Sequence, residues 1–212
     1  MAAGKLVSLS FLAIGVILLI QVVLPLLSFE IWQIGQQISQ NILISPRPNK
    51  QKILGVSVKN QNNFPAFVSD LTRETIPSYN EFNLTVSTIK IVDLPVVVDS
   101  NDLSKGLIHL PGSALPGEKG NVFISGHSAL SPLFSFKKAP FANLTDVKKG
   151  DQLVVEAGGV KFTYKVVEIK VVDPSDVSVI SPPDSLGRYI SLMTCVPPGL
   201  NLKRLVVLGK MI

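Results

Sequence analysis

The sequence predicts an all-β domain that is preceded by one membrane-spanning helix. Residues 6–29 are apolar and carry no charge, whereas the chain beyond residue 84 consists of short apolar runs separated by Pro, Gly and Asn. Runs of this length, bounded by turn residues, are typical of strands in a β-barrel. A Gly-Gly pair at residues 158–159 joins two of them, as expected for a two-residue hairpin. These observations together favour a barrel.

The apolar run at residues 6–29 is long enough to cross a membrane. As a helix it measures about 36 Å, and the hydrocarbon core of a bilayer is about 30 Å thick. A cleaved signal peptide is the alternative, but its apolar region is about 7–15 residues long and ends in a small-residue cleavage pattern. The sequence therefore favours an uncleaved anchor over residues 1–29. Lys5 precedes the run and Glu30 follows it, so the positive-inside rule places the N-terminus in the cytoplasm and the body of the chain outside.

Residues 30–78 are expected to form a stalk and a linker. Isoleucines at helical spacing between residues 31 and 42 predict that the anchor helix continues beyond the membrane. The following residues, 49–77, are polar and predict a linker with few core contacts. The β domain is then expected to cover residues 79–212.

The strands of this domain are expected at residues 84–91, 95–98, 106–110, 121–125, 151–157 and 160–172. The 95–98 run begins with a proline, which favours an edge strand. In the last run, apolar residues alternate in one phase up to Val166 and in the other phase from Val167. This change predicts a β-bulge. Residues 130–144 are expected to hold one or two helical turns anchored by phenylalanines.

The charge pattern does not indicate nucleic-acid binding. The formal net charge is +5, but the lysines are scattered without a basic cluster. The two histidines and the one cysteine do not have the spacing of zinc ligands, so they do not predict a zinc site. The sequence shows no clear acidic cluster of the kind that binds calcium, so it does not predict a calcium site either. The sequence thus predicts neither a metal nor a cofactor.

Cys195 is the only cysteine in the chain. A lone cysteine in an exported chain is a reactive thiol or an intermolecular link, although most lone cysteines are simply buried. An apolar run precedes Cys195, a Pro-Pro-Gly turn follows, and a second apolar run begins near Arg204. Such a turn can bring the second run back near the sulfur. Arg204 and its neighbour Lys203 point to opposite faces of that run, so only one of the two can face Cys195. A thiol nucleophile needs a base, and the reacting carbonyl needs a donor for its developing negative charge.

The two histidines are the candidates for the base. His127 follows a Ser-Gly pair at the end of a strand-like run, where side chains become accessible. His109 lies inside an apolar run, where a structural role is the default. His127 is therefore favoured. Asp151 could orient a base, but its Lys-Gly-Asp context is more simply a turn before a strand.

Three segments together resemble the sortases, the cysteine transpeptidases of bacterial cell surfaces. Ser-Leu-Met-Thr-Cys at residues 191–195 is similar to the family's Thr-Leu-x-Thr-Cys, with Ser191 in place of the first threonine. Gly-Asn-Val-Phe-Ile-Ser-Gly-His at residues 120–127 is similar to Gly-Asn-x-x-(Ile/Val)-x-Gly-His. The Arg-Leu-Val-Val run after Pro-Pro-Gly is similar to the family's arginine strand. The resemblance extends over residues 84–208.

The resemblance implies an eight-stranded sortase barrel and a role for each site residue. Cys195 is implied as the nucleophile, His127 as the acid and base, and Arg204 as the group that positions the peptide and stabilises the oxyanion. Thr194, next to the nucleophile, is expected to contribute a hydroxyl or a backbone N–H to the oxyanion site.

The implied activity is that of a membrane-anchored transpeptidase. It would cleave a Leu-Pro-x-Thr-Gly-like (LPxTG-like) sorting signal on an exported protein and transfer the acyl group to an amine of a cell-wall precursor or a pilin lysine. A peptidase that uses water and a non-catalytic surface-protein binding domain remain alternatives. The sequence has no second hydrophobic span near its C-terminus, which argues against the pilin-type subclass and for a class D- or E-like sortase. The subclass, the sorting motif and the amine stay open.

Overall fold

The computed structural model describes residues 2–38, 43–44, 55–61, 64–70, 77–129 and 139–212. It contains one long helix, α1 (Ala2–Ile38), and eleven strands. The strands are β1 (Leu43–Ile44), β2 (Val56–Gln61), β3 (Phe64–Ser69), β4 (Glu81–Val86), β5 (Ile91–Val97), β6 (Leu107–His109), β7 (Gly120–Ser125), β8 (Gln152–Ala157), β9 (Val160–Val172), β10 (Arg188–Val196) and β11 (Lys203–Met211). Short 3-10 helices lie at Ser87–Ile89, Leu103–Lys105, Leu144–Asp146 and Val177–Ile180.

Strands β4 to β11 form the closed eight-stranded barrel that the resemblance implied. Their order is β9-β11-β10-β7-β6-β5-β4-β8, and β8 pairs with β9 to close the ring. The β5–β6 and β7–β10 pairs are parallel and the other pairs are antiparallel. Strand β1 adds to β9 in parallel. Side chains alternate along each strand, so one apolar set fills the barrel interior.

The hairpin between β8 and β9 matches its prediction. Gly158 and Gly159 both have positive φ values, 57° and 79°, as a two-residue type I′ turn requires. The bulge predicted at Val166–Val167 is also present. Leu208 of β11 pairs with Glu168 and the next residue pairs with Val166, so Val167 has no opposite residue. The extra residue reverses the phase of alternation on β9.

Two strand predictions in the first part of the barrel were wrong. The run at residues 84–91 is not one strand, because β4 ends at Val86 and a 3-10 turn follows, which Lys90 closes in the left-handed region at φ 60°. The run at residues 95–98 is not an edge strand, because β5 lies between β4 and β6. Pro95 is tolerated there because pairing with β6 begins one residue later, at Val96.

Part of the polar segment before the barrel, where a linker with few core contacts was predicted, is folded against the domain. Strands β2 and β3 form an antiparallel hairpin, and Phe67 of β3 is 3% exposed. The ring of Phe67 lies 6.0 Å from the ring of Phe123, in a second apolar cluster. This outer cluster consists of Phe67, Leu110, Phe123, Val172, Val177, Met193 and Val206. The domain boundary near residue 79 stays a prediction.

Helix α1 contains the predicted membrane segment. Residues Ser8–Ile31 are long and apolar enough to cross a membrane, with a mean hydropathy of 2.6. A signal sequence near an N-terminus would meet the same criterion, so this helix is weak support for an anchor. Beyond the apolar run the helix continues to Ile38, as the spacing of the isoleucines indicated. Part of the 130–144 prediction, residues 130–138, lies outside the described residues; Phe141 is buried in the barrel core.

Candidate active site

Cys195 and Arg204 lie on adjacent strands at one end of the barrel. They are directly opposite residues in the antiparallel ladder between β10 and β11, so their side chains leave the same face of the sheet. Their neighbours Val196 and Leu205 point into the barrel core. Cys195 and Arg204 therefore project to the outer face. The turn between the strands returns the chain through Gly199, which has a φ of 83°.

The strand register also decides whether Arg204 or Lys203 is the cation near Cys195, a choice that the sequence left open. Lys203 is opposite Val196, and its ammonium forms an ion pair with Asp173. The side chain of Arg204 is 0% exposed. Its Nη1 donates hydrogen bonds to the carbonyls of Lys203 at 3.0 Å and Asn201 at 3.3 Å. Arg204 is thus the cation that the fold places opposite Cys195.

His127 is positioned by the strand on the other side of Cys195. Strand β7 runs parallel to β10, with Ser125 opposite Met193. The Gly126 N–H donates to the Met193 carbonyl at 3.1 Å, and the His127 carbonyl accepts from the Phe141 N–H at 2.9 Å. These bonds fix the backbone on both sides of the imidazole. Strand β10 therefore lies between the strand that leads to His127 and the strand that carries Arg204.

Gly126 is required for this approach. A Cβ at this position would lie 2.4 Å from Leu107 Cδ2 and 2.8 Å from Phe141 Cδ2, closer than van der Waals contact allows. A larger residue would force Leu107 and Phe141 to shift, so glycine suits the position from which the chain continues into His127.

Thr194 supports the same backbone. Its hydroxyl donates to the Gly126 carbonyl at 2.9 Å, and the residue is 2% exposed. Because a hydroxyl has one proton, Thr194 Oγ1 cannot at the same time donate to an oxyanion. The hydroxyl thus supports the backbone next to His127 and is not free for the oxyanion. The backbone N–H of Thr194, the other donor expected there, stays a prediction.

All four residues predicted for the site line one small pocket. Cys195, His127, Arg204 and Thr194 share it with six other residues: Phe67, Leu103, Ile108, Ser125, Gly126 and Met193. The cavity has a volume of about 20 Å³. Cys195 and His127 are partly exposed, so solvent reaches both.

Burial opposes the charged forms of both groups. It raises the pKa of the Cys195 thiol, and the positive charge of Arg204 counteracts only part of this rise. Burial lowers the pKa of the His127 imidazole. Cationic neighbours alone would lower a thiol pKa, but desolvation is the larger effect here. The neutral thiol and neutral imidazole are therefore the major forms of the unliganded site between the two pKa values.

His109 lies outside this pocket and has the structural role that its sequence context indicated. It is 0% exposed. Its Nε2 lies 2.8 Å from Ser113 Oγ and 3.0 Å from the Ala114 carbonyl, and its Nδ1 lies 3.3 Å from the Asp99 amide nitrogen. Both ring nitrogens thus have partners in the protein.

Asp151 likewise belongs to a turn. Its Oδ2 accepts a hydrogen bond from the Lys148 N–H at 2.9 Å, which caps the turn before β8. Within the described ranges, no three His, Cys, Asp or Glu side chains come together to hold a metal ion.

Two buried polar residues of the strands that lead to the site, Asn121 and Ser191, were not assigned a role from the sequence. Ser191 Oγ donates to Asn121 Oδ1 at 3.1 Å. Asn121 Nδ2 in turn donates to the carbonyls of Val179 at 3.3 Å and Ile180 at 3.0 Å. The pair therefore ties the 3-10 helix before β10 to the barrel. Both polar residues belong to the sequence motifs described above. The Val179 carbonyl that Asn121 binds lies 58 residues away along the chain, so the sequence alone does not reveal the contact.

Comparison with known proteins gives one consistent result. Residues 76–212 match the family model of the sortase domain. Sortase D of Bacillus subtilis is 34% identical over 123 residues, which are 56% of this chain and 57% of that protein. Sortase SrtE1 of Streptomyces coelicolor is 35% identical over 108 residues, which are 47% of this chain and 29% of that protein.

Solved structures agree with these relatives. Sortase A from Corynebacterium diphtheriae superposes with a TM-score of 0.56 and 34% identity, over 63% of this chain and 61% of that chain. Sortase C-1 from Actinomyces oris gives 0.55 and 31%, over 62% and 73%. The closed eight-stranded barrel of this chain agrees with these sortase structures. The chain belongs to the sortase family. It spans little more than half of Sortase D and about a third of Sortase SrtE1.

Proposed function

We propose that this chain is a membrane-anchored, sortase-type cysteine transpeptidase. It cleaves an LPxTG-like sorting signal on an exported protein and transfers the acyl group to an amine. The observation that supports this best is the position of Cys195. It stands on the strand between the one that leads to His127 and the one that carries Arg204, and the three residues line one pocket.

The first half-reaction starts from the minor form of the site, in which the proton of the Cys195 thiol has passed to His127. The Cys195 thiolate attacks the carbonyl carbon of the threonine in the sorting signal. The carbonyl oxygen gains the electron pair and becomes an oxyanion. When the tetrahedral intermediate collapses, the C–N bond breaks and His127 gives its proton to the departing glycine amine. The products are a thioester on Cys195 and a peptide with a free N-terminal glycine.

In the second half-reaction, an incoming amine attacks the thioester carbonyl. His127, now neutral, takes a proton from the amine as the new C–N bond forms. The Cys195 sulfur leaves and the free enzyme is restored. An amine of a cell-wall precursor or a pilin lysine is the acceptor that the family implies.

Arg204 supplies the positive charge for the oxyanion. The Asn201 and Lys203 carbonyls hold its guanidinium in place, and the residue itself is buried. A fixed donor in such a place stabilises developing charge without reorganisation at the moment of reaction. The planar guanidinium also has five N–H groups, enough to serve structural carbonyls and a peptide oxygen together.

The location of the protein follows from helix α1. We propose that the apolar run at residues 6–29 spans the membrane once, with the N-terminus in the cytoplasm and the barrel on the extracytoplasmic side. The charge distribution around the run supports this orientation. The partners are then exported proteins with sorting signals, an amine acceptor at the cell surface, and the membrane, but no nucleic acid.

The test is to incubate the full chain in detergent with LPxTG-like peptides, with and without a glycine oligomer, and to follow masses. A transpeptidase gives a Cys195 adduct that carries the peptide up to threonine, and a ligated product when the amine is present. The amine reacts with the thioester faster than water does because it is held next to the thioester. A peptidase gives only the hydrolysed product at every amine concentration. A binding domain forms no adduct.

A further inference from the structure

One wall of the catalytic pocket comes from outside the matched sortase domain. Phe67 lines the same cavity as Cys195, His127 and Arg204, yet the family match begins at residue 76. The mechanism above uses Cys195, His127 and Arg204 and gives no role to this ring.

The position of Phe67 is fixed from two directions. Its ring packs on the outer cluster, 6.0 Å from Phe123. Two residues further along β3, the Ser69 N–H donates to Asn101 Oδ1 and the Ser69 carbonyl accepts from Asn101 Nδ2, both at 3.1 Å. The amide of Asn101 thus binds the β3 backbone as a neighbouring strand would. These two hydrogen bonds attach the β2–β3 hairpin to the barrel, and the attached hairpin holds the Phe67 ring in the cavity.

The consequence is a narrow site. With Phe67 in place, the cavity of about 20 Å³ has room for roughly one water molecule. The partly exposed sulfur of Cys195 is within reach of a small reagent, but a bulky group next to it requires the phenyl ring to move. Met193, a barrel residue of the same outer cluster, also lines the cavity.

We propose that Phe67 is a specificity-determining residue of the Cys195 site: it limits the size of the group that can be held beside the sulfur. The inference adds to the proposed function by naming what restricts the acyl donor. It can be tested without any peptide substrate, because Cys195 is the only thiol in the chain and every alkylation event therefore reports on this site.

The experiment compares a small and a bulky thiol reagent, iodoacetamide and fluorescein-5-maleimide, on the full chain in detergent. The measured quantity is the ratio of the two alkylation rates. Phe67→Ala should raise the bulky-reagent rate roughly tenfold, the effect of removing a barrier of about 1.4 kcal/mol. The iodoacetamide rate should change by only about twofold on the same scale. Phe67→Trp should shift the ratio in the opposite direction.

Two further variants separate a size limit from loss of structure. Asn101→Ala frees the β3 backbone from outside the cavity and should shift the ratio in the same direction as Phe67→Ala, by a smaller factor. Lys59→Ala, at an exposed position on the same hairpin, should leave the ratio unchanged. Unfolding would accelerate both reagents together and leave a ratio near that of free cysteine.

An unchanged rate ratio in both Phe67→Ala and Phe67→Trp would overturn the proposal. A shifted ratio supports it even if no peptide is ligated, and in that case only the proposed transpeptidase function fails. If peptides are ligated, Phe67→Ala should also widen the set of accepted residues next to the threonine.

Discussion

Cys195 is opposite Arg204 in the ladder between β10 and β11, and Lys203 is opposite Val196. Since neighbouring residues on a strand point to opposite faces, this register alone decides which cation can act on a group bound at the sulfur. The guanidinium is buried and held by two carbonyls, whereas the ammonium of Lys203 is paired with Asp173.

The first prediction concerns this cation. Arg204→Lys should lower kcat/KM for an LPxTG-like peptide by about 10²–10³-fold, the usual effect of losing an oxyanion donor. A lysine keeps the charge but lacks the planar set of donors. The matched control is Lys203→Arg, which should keep kcat/KM within about threefold because its side chain leaves the other face. Equal losses in both variants would contradict the assignment.

The second prediction separates the two histidines by two different measurements. His127→Ala should lower the rate of thioester turnover by about 10²–10⁴-fold, since a general acid and base is lost, and should leave the free energy of unfolding nearly unchanged. His109→Ala should lower the free energy of unfolding by about 1–3 kcal/mol because it leaves buried polar groups without partners. The folded fraction of His109→Ala should keep most of its activity. The reverse pattern would exchange the two roles.

The third prediction concerns pH. The proposed mechanism needs Cys195 as thiolate and His127 as imidazolium, but burial raises the pKa of the thiol and lowers the pKa of the imidazole. Below the imidazole pKa, the fraction of thiolate falls further as the pH decreases, with no gain in imidazolium. Above the thiol pKa, the fraction of imidazolium falls further as the pH increases, with no gain in thiolate. The kcat/KM profile should therefore be bell-shaped, with a maximum between the two pKa values. The two limbs belong to the coupled pair.

The alkylation rate of Cys195 tests the direction of the thiol shift independently. Its midpoint with pH should lie above that of a free thiol such as glutathione measured with the same reagent. Arg204→Ala should move the midpoint further up, because the charge that opposes desolvation is lost. A midpoint below that of glutathione would show that charge, and not burial, dominates in solution.

The fourth prediction concerns Gly126. Gly126→Ala forces a Cβ against Leu107 and Phe141, and such overpacking typically costs about 1–3 kcal/mol of the free energy of unfolding. Activity should fall by more than the folded fraction does, because His127 is the next residue. Gly35→Ala is the control, since a Cβ there meets nothing within 4 Å. Thermal unfolding and ligation rates measured on both variants provide the check.

The fifth prediction concerns the domain boundary. A fragment of residues 51–212 should fold as a soluble and active protein, because it omits helix α1 and keeps the β2–β3 hairpin. A fragment that starts at residue 71 loses Phe67 and uncovers the outer cluster, so it should unfold at a lower temperature. Loss of solubility in the 51–212 fragment, while the full chain in detergent is well folded, would move the boundary.

The barrel was largely predictable because its signals are local. The Gly158–Gly159 turn and the phase change at Val166 are each contained within a few residues, and each has one structural solution. The β2–β3 hairpin was missed for the opposite reason. Its strands are short, and contacts with residues far along the chain attach them to the fold: Phe67 packs on the outer cluster, and Ser69 bonds Asn101. A two-stranded hairpin has little stability of its own.

The candidate site also has features that local sequence predicts and others that depend on contacts between distant parts of the chain. The motifs predicted which residue types come together, but a choice such as Arg204 over Lys203 depends on strand register, and a shift of one residue reverses it. The Asn121–Ser191 bond and the contact of Thr194 with Gly126 connect residues about 70 positions apart. No periodicity within one segment carries that information.

Strand β11 is the last strand in chain order, yet it lies between β9 and β10 in the interior of the sheet. Its insertion brings Arg204 beside Cys195 and completes the ring of strands. Until β11 takes its place, β9 and β10 have no strand between them, so a barrel that lacks β11 is an open sheet in which Cys195 has no cation opposite it. Closure of the ring and pairing of Cys195 with Arg204 are therefore a single folding event, and a variant that keeps β11 from docking should lose both together.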